Sequence, residues 1–176
     1  MLNIKLNRHE LMLCDIFGTV RRKNAMQFNY DRQVSKQDKY DMDIDGFKGE
    51  YIVAQYLNVM PDFSINEKKN PIDLHWNNKS IDVKSTRNPN GNIYITEYHK
   101  KKPCDYYVQV ILNDDGGDIV GWIDSENLFK KATFVNGSHP SYMLKQKDLF
   151  KLPITWVKKT SPRASGEAKT KRLNDK

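Results

Sequence analysis

The chain reads as an α/β protein, a β-sheet flanked by helices, and three patterns point there. Residues 71–76 and 80–85 each alternate polar and apolar side chains on either side of Asn77-Asn78, as the arms of a β-hairpin do. Residues 105–113 form an apolar run of the length of a buried strand, and residues 8–23 and 44–58 space their apolar side chains helically. At 176 residues the chain suits one domain with a substantial core.

The first helix is expected over 8–23, with Asn7 and Glu10 placed as a capping box and Leu13, Ile16, Phe17 and Val20 as the apolar stripe; Gly18 weakens its second half. Residues 31–43 are almost wholly polar and read as a linker, so 1–43 is set apart as a helical extension. A second helix is expected over 44–58, with Phe47, Tyr51, Ala54 and Leu57 on one face and Pro61 soon after its end. Glu50 falls on that same apolar face, and a carboxylate aimed inward needs a partner. A short strand is expected near 62–66, then the hairpin, a Gly/Asn/Pro-rich loop at 87–92 and an extended segment at 93–96. The buried strand 105–113 is followed by the turn Asp114-Asp115-Gly116-Gly117, a strand at 118–123, a helical turn at 124–131 and a last strand at 141–144. These make a core over 44–157.

The formal charge is +7, the pI near 9.3 and the mean hydropathy −0.76, values that suit a soluble protein meeting a polyanion. Seven basic residues from Lys158 onward, against Glu167 and Asp175, give residues 158–176 a charge of +5 and the composition of a disordered tail. Cys14 and Cys104 belong to no C-x-x-C pair and cannot build a disulfide framework, which argues for a reducing, cytoplasmic setting, the host's if the chain is viral. The N-terminal residues lack a signal-peptide pattern and no run approaches the length of a membrane span.

The hairpin carries the chemistry. A two-residue turn at Asn77-Asn78, where φ > 0 is tolerated, sets Asp73 opposite Asp82, Leu74 opposite Ile81 and Ile72 opposite Val83. Asp73, His75, Ser80, Asp82 and Lys84 then share one face. Facing carboxylates repel, and hard oxygen ligands of this kind suit Mg²⁺ or Mn²⁺ between them. A core-facing helical Glu, an Asp on one strand and Asp-x-Lys on the next provide what metal-dependent phosphodiester hydrolysis needs. The rival acid-x-Lys tripeptides, Glu67-Lys68-Lys69 and Glu167-Ala168-Lys169, have no strand pattern around them.

This constellation resembles the PD-(D/E)XK nuclease superfamily, the restriction-endonuclease-like fold, over roughly residues 44–123. The resemblance rests on Glu50 in Gly46-Phe47-Lys48-Gly49-Glu50, Asp73 in Pro71-Ile72-Asp73, and Asp82-Val83-Lys84 followed by Ser85-Thr86. The proline stands two places before Asp73 instead of next to it. The resemblance implies a central mixed β-sheet flanked by helices, with Asp73, Asp82, Glu50 and the Val83 carbonyl holding Mg²⁺ (or Mn²⁺) and Lys84 as the catalytic cation. It implies a DNA endonuclease leaving 5′-phosphate and 3′-hydroxyl ends, with a looser similarity to small phage-type nucleases and junction resolvases. An RNA-cleaving enzyme and a catalytically silent nucleic-acid-binding module on the same fold stay open, as does a homodimer that cuts both strands. For nucleic-acid contact the sequence offers Ser85, Thr86, Arg87 and the run Lys100-Lys101-Lys102, which reads equally as a solvated charge run. Tyr107 and Gln109 share one face of the buried strand; Tyr107 reads as core. Trp76, Trp122 and Trp156 read as packing residues, and His75 as a surface residue.

Overall fold

The computed structural model describes residues 1–27, 39–65, 72–137 and 139–152. Pro71, both rival tripeptides, Trp156 and the tail from 158 lie outside them, as does most of the polar stretch before residue 39. The elements run β1 (Leu2–Lys5), α1 (Arg8–Gln27), α2 (Lys39–Leu57), β2 (Leu74–Trp76), β3 (Lys79–Thr86), β4 (Ile93–Thr96), α3 (Glu97–Lys101), β5 (Tyr106–Asn113), β6 (Gly116–Asp124), α4 (Ser125–Lys131), β7 (Thr133–Val135) and β8 (Ser141–Leu144). Five strands make a mixed sheet in the order β1-β6-β5-β3-β2, with β3 and β5 parallel; β4, β8 and β7 make a second, antiparallel one. The protein is therefore α/β.

The capping box forms as expected: Asn7 Oδ1 accepts from the His9 and Glu10 backbone amides, and the Glu10 carboxylate accepts from the Asn7 amide. The helix it starts does not weaken at Gly18. A Cβ there would stand 2.4 Å from the Ile44 Cα, so glycine is what lets α1 and α2 pack backbone to backbone, and α1 continues to Gln27. The buried positions of α1 are Cys14, Gly18 and Arg22, with Leu11, Leu13 and Phe17 beside them. Ile16, expected in the stripe, is 49% exposed. The boundary drawn at residue 43 falls inside α2, and the segment set apart as an extension supplies the sheet's edge strand β1 and the helix against α2.

No strand forms over 62–65; the Asp62 carbonyl accepts from Arg21 at 2.7 Å and Phe63 stacks on Phe17 and Phe47. Its backbone is spent on a side chain and on packing, so there is no neighbour to pair with. Strands β1 and β7 and helix α3 were not expected either, being too short for their periodicity to register.

Two apolar layers sandwich the large sheet. On one face α1 and α2 bury Phe47, Ile52, Ala54, Leu57, Ile81, Val83, Val108, Val110 and Ile119. On the other, the small sheet and α4 bury Ile93, Ile95, Tyr107, Ile123, Leu128 and Leu144. A fully buried side chain of this size contributes roughly 1.5–3 kcal/mol. Strand β3 lies between β2 and β5, so both of its edges are paired, and the two layers cover its faces. That burial governs the chemistry of Asp82.

Candidate active site

The hairpin closes at Asn77 and Asn78, whose φ angles of 48° and 60° match the turn that the right-handed twist of the strands favours. Leu74 pairs with Ile81 as expected, with His75 opposite Ser80 and Trp76 opposite Lys79, but the expected pairs Asp73–Asp82 and Ile72–Val83 lie beyond the paired strand, and Ile72 packs in the opposite layer from Val83. Asp105 fastens the outer end, where its carboxylate accepts from the Ser80 amide, the Ser80 hydroxyl and the Lys79 ammonium at 2.8–2.9 Å. These bonds hold its carboxyl down to about 2, the Lys79 ammonium having the largest effect.

The paired register stops one residue before Asp73. The Asp73 amide donates to the Ile81 carbonyl at 2.9 Å, and its carboxylate Oδ2 accepts from the Val83 amide at 2.8 Å. Strand pairing gives way to a side-chain bond, which turns the Asp73 carboxyl onto β3 beside Asp82. Side chains alternate along β3: Ile81 and Val83 enter the α2 layer, whereas Asp82 and Lys84 point to the opposite face. Asp82 is 1% exposed. Its Oδ1 accepts from the Lys84 ammonium at 2.7 Å, and its Oδ2 is buried without a hydrogen-bond partner.

Burial is the main reason that the Asp82 carboxyl is pushed up to about 7; the Asp73 charge adds to the rise and the Lys84 ammonium opposes it. Burial alone would lower Lys84, but the Asp82 and Asp73 charges outweigh it and hold Lys84 above the usual lysine range, so it stays cationic. Cys104 lies close by, its thiol pushed up to about 12 first by burial and then by the Asp82 and Asp73 charges, and is therefore an inert neutral group. Asp73, Asp82 and Lys84 are thus brought together.

Glu50 is not brought to them. Its helix packs on the Val83 and Ser85 side of β3: a Cβ on Gly49 would sit 2.7 Å from the Ser85 Cβ and 3.6 Å from a Val83 methyl. The Glu50 carboxylate accepts from Arg21 Nη1 at 2.9 Å through both oxygens, while the guanidinium lies over the Phe47 ring. The partner that an inward-facing carboxylate needs is an arginine from α1. Among the described residues no three of His, Cys, Asp or Glu are grouped so as to hold a metal ion.

The residues expected to touch nucleic acid divide in the same way. Ser85 gives its hydroxyl to the Asp45 carbonyl at 3.0 Å, and Thr86 Oγ1 accepts from the Asn88 amide. Arg87 grips both Asp45 oxygens at 2.8–2.9 Å and reaches Asp114 at 3.4 Å, a clamp between α2 and the β5–β6 turn. Lys48, from the next turn of α2, binds the Asn113 and Asp114 carbonyls at the same place. Ser85, Thr86 and Arg87 thus each make a hydrogen bond within the fold. Lys100 donates to the Tyr142 hydroxyl at 2.8 Å and lies 4.5 Å over that ring, whereas Lys101 and Lys102 are exposed. His75 is exposed, and Trp122 meets Tyr106 edge to face and packs at a tilt on Phe150 as a packing residue.

The parallel pairing of β3 with β5 sets Tyr107 beside Asp82 and Gln109 beside Lys84 on one face. The matching i, i+2 spacing of Asp82/Lys84 and Tyr107/Gln109 was visible in the sequence; the register that joins the two pairs was not. Comparison with protein-family models, curated proteins and solved structures finds no match to this chain.

Proposed function

We propose that this protein is a Mg²⁺-dependent (or Mn²⁺-dependent) nuclease with a restriction-endonuclease-like fold, acting as an endonuclease on DNA. The observation that carries the reading is the buried Asp82 carboxylate, which sits beside Asp73 and Lys84 with one oxygen lacking any donor. A buried acceptor without a partner calls for a ligand, and a divalent cation is the one that also relieves the repulsion between two carboxylates. The residues fit such an ion with Asp73 and Asp82 as its carboxylate ligands and the Val83 carbonyl next to Asp82 in sequence. Glu50 takes no part in this site.

When bound, the cation would polarise a phosphate oxygen and acidify a water. Lys84 stays protonated in its carboxylate surroundings and presents a fixed positive charge to a phosphodiester in its transition state. The chain's basic balance favours a polyanionic substrate, with Lys101 and Lys102 as exposed cations on the described surface. A second reading, a nucleic-acid-binding module without catalysis, draws support from the commitment of Glu50 to Arg21.

The test is incubation with supercoiled plasmid, a four-way junction, single-stranded DNA and RNA, each with Mg²⁺ or EDTA, beside Asp82→Ala. Cleavage that needs the metal and disappears in Asp82→Ala is expected. Equal cleavage by that variant, or none of any substrate, overturns the enzyme reading; cleavage confined to RNA overturns the substrate.

A further inference from the structure

Three buried oxygens without a hydrogen-bond partner lie on one face of the paired strands β3 and β5: Asp82 Oδ2, the Tyr107 hydroxyl and Gln109 Oε1. All three residues are 1% exposed or less. Such atoms are uncommon singly, and three on one face mark a place where something else binds.

Gln109 is the most constrained of them. Its Nε2 donates to the Gly91 carbonyl at 2.8 Å, which fixes the amide, since a flip would set oxygen against oxygen. Gly91 lies over Thr86, at the far end of β3 from Asp82: a Cβ on it would be 2.5 Å from the Thr86 methyl. With the nitrogen held by Gly91, the oxygen is left without a partner on the face that Gln109 shares with Lys84 and Asp82. Tyr107 is different in kind, because a hydroxyl can donate to Asp82 and the Cys104 backbone approaches its oxygen.

We infer that Gln109 supplies a neutral oxygen ligand to the cation of the Asp73–Asp82 site, in the place that the sequence had given to Glu50. This rests on the metal-site reading above. Side-chain amide oxygens are ordinary ligands of hard divalent cations. A neutral third ligand also spares the metal-free protein further repulsion, whereas a third carboxylate would add repulsion that only the bound cation relieves.

The test is calorimetric titration of Mn²⁺ into wild type, Gln109→Glu, Gln109→Leu and Asp82→Asn, none of which requires turnover. Both Gln109 variants lose the bond to Gly91, so a purely structural role moves them the same way. A ligand role moves them in opposite directions, to about tenfold tighter binding in Gln109→Glu and about tenfold weaker in Gln109→Leu. A measurement that needs no change at this position is the side-chain carbonyl ¹³C resonance of Gln109 in wild type, which should shift on addition of Mg²⁺ and stay still in Asp82→Asn. Mn²⁺ binding that is lost in Asp82→Asn but unaltered, or altered alike, in both Gln109 variants overturns the Gln109 assignment alone. Wild type that binds no Mn²⁺ overturns the metal site and the assignment with it.

Discussion

Glu50 and Asp82 are both buried carboxylates paired to a cationic side chain, yet they end in opposite conditions. Glu50 meets a guanidinium through both of its oxygens, and that guanidinium is itself held by the Asp62 carbonyl and the Phe47 ring. Asp82 meets an ammonium through one oxygen, while no donor reaches the other and the Asp73 carboxyl lies beside it. A buried carboxylate satisfied through both oxygens fixes how two helices sit, even though Arg21 Nε beside it lacks a partner; one bonded through a single oxygen keeps unfavourable energy that a ligand can release. On the proposed reading, the contrast separates a structural acid from a functional one.

The largest effect should come from dismantling the satisfied pair. Arg21→Ala leaves the Glu50 carboxylate buried without its arginine and should cost about 3–5 kcal/mol, read as a large drop in the urea midpoint. Glu50→Gln should cost less, because the amide keeps hydrogen bonds, and it should spare Mn²⁺ affinity. A loss of metal binding in Glu50→Gln would place Glu50 back in the site and erase the distinction.

Changing the unsatisfied acid should do the reverse. In EDTA, Asp82→Asn should melt higher than wild type, by roughly 1–3 kcal/mol above neutral pH, because it removes a buried charge that wild type must carry there. The pH window follows from the raised carboxyl. With a folded value of about 7 against the ordinary 3.8, the contribution of Asp82 to metal-free stability is fullest below 3.8, declines as pH rises through about 7, and is then flat. Melting curves of wild type and Asp82→Asn across this range should diverge with increasing pH. Parallel curves would show that the charge is not confined.

Metal should close the gap. At tenfold excess over the dissociation constant, Mg²⁺ should stabilise wild type by about 1.4 kcal/mol and Asp82→Asn by much less. Equal responses in the two proteins would mean that the carboxylates hold no cation.

The smallest effect concerns the basic residues. Arg87→Ala should lower stability by about 1 kcal/mol through loss of the half-exposed Asp45 clamp, without changing how DNA affinity depends on salt. Replacing Lys101 and Lys102 should flatten that dependence by roughly one slope unit for each phosphate no longer neutralised, with stability unchanged. A salt slope that falls in Arg87→Ala would return that residue to the interface.

Much of this was legible in the chain itself. Alternation about Asn77-Asn78 determined the hairpin and its register, the run at 105–113 determined the buried strand, and the Asn7/Glu10 spacing determined where α1 begins, because each is a local preference written within a few residues. The proximity of Asp73 to Asp82 and Lys84 follows from the same hairpin. Tertiary structure alone decided the rest. Glu50 lay on an apolar face in the sequence, but which layer that face entered depended on how α2 packs over Val83 and Ser85, and its partner lies 29 residues away on another helix. Gly18 read as a helix weakener and proved to be the contact point of two helices, since close approach is a property of the pair. Gln109 came to Lys84 through a parallel pairing, and parallel strands are joined by a crossover whose register no local pattern records.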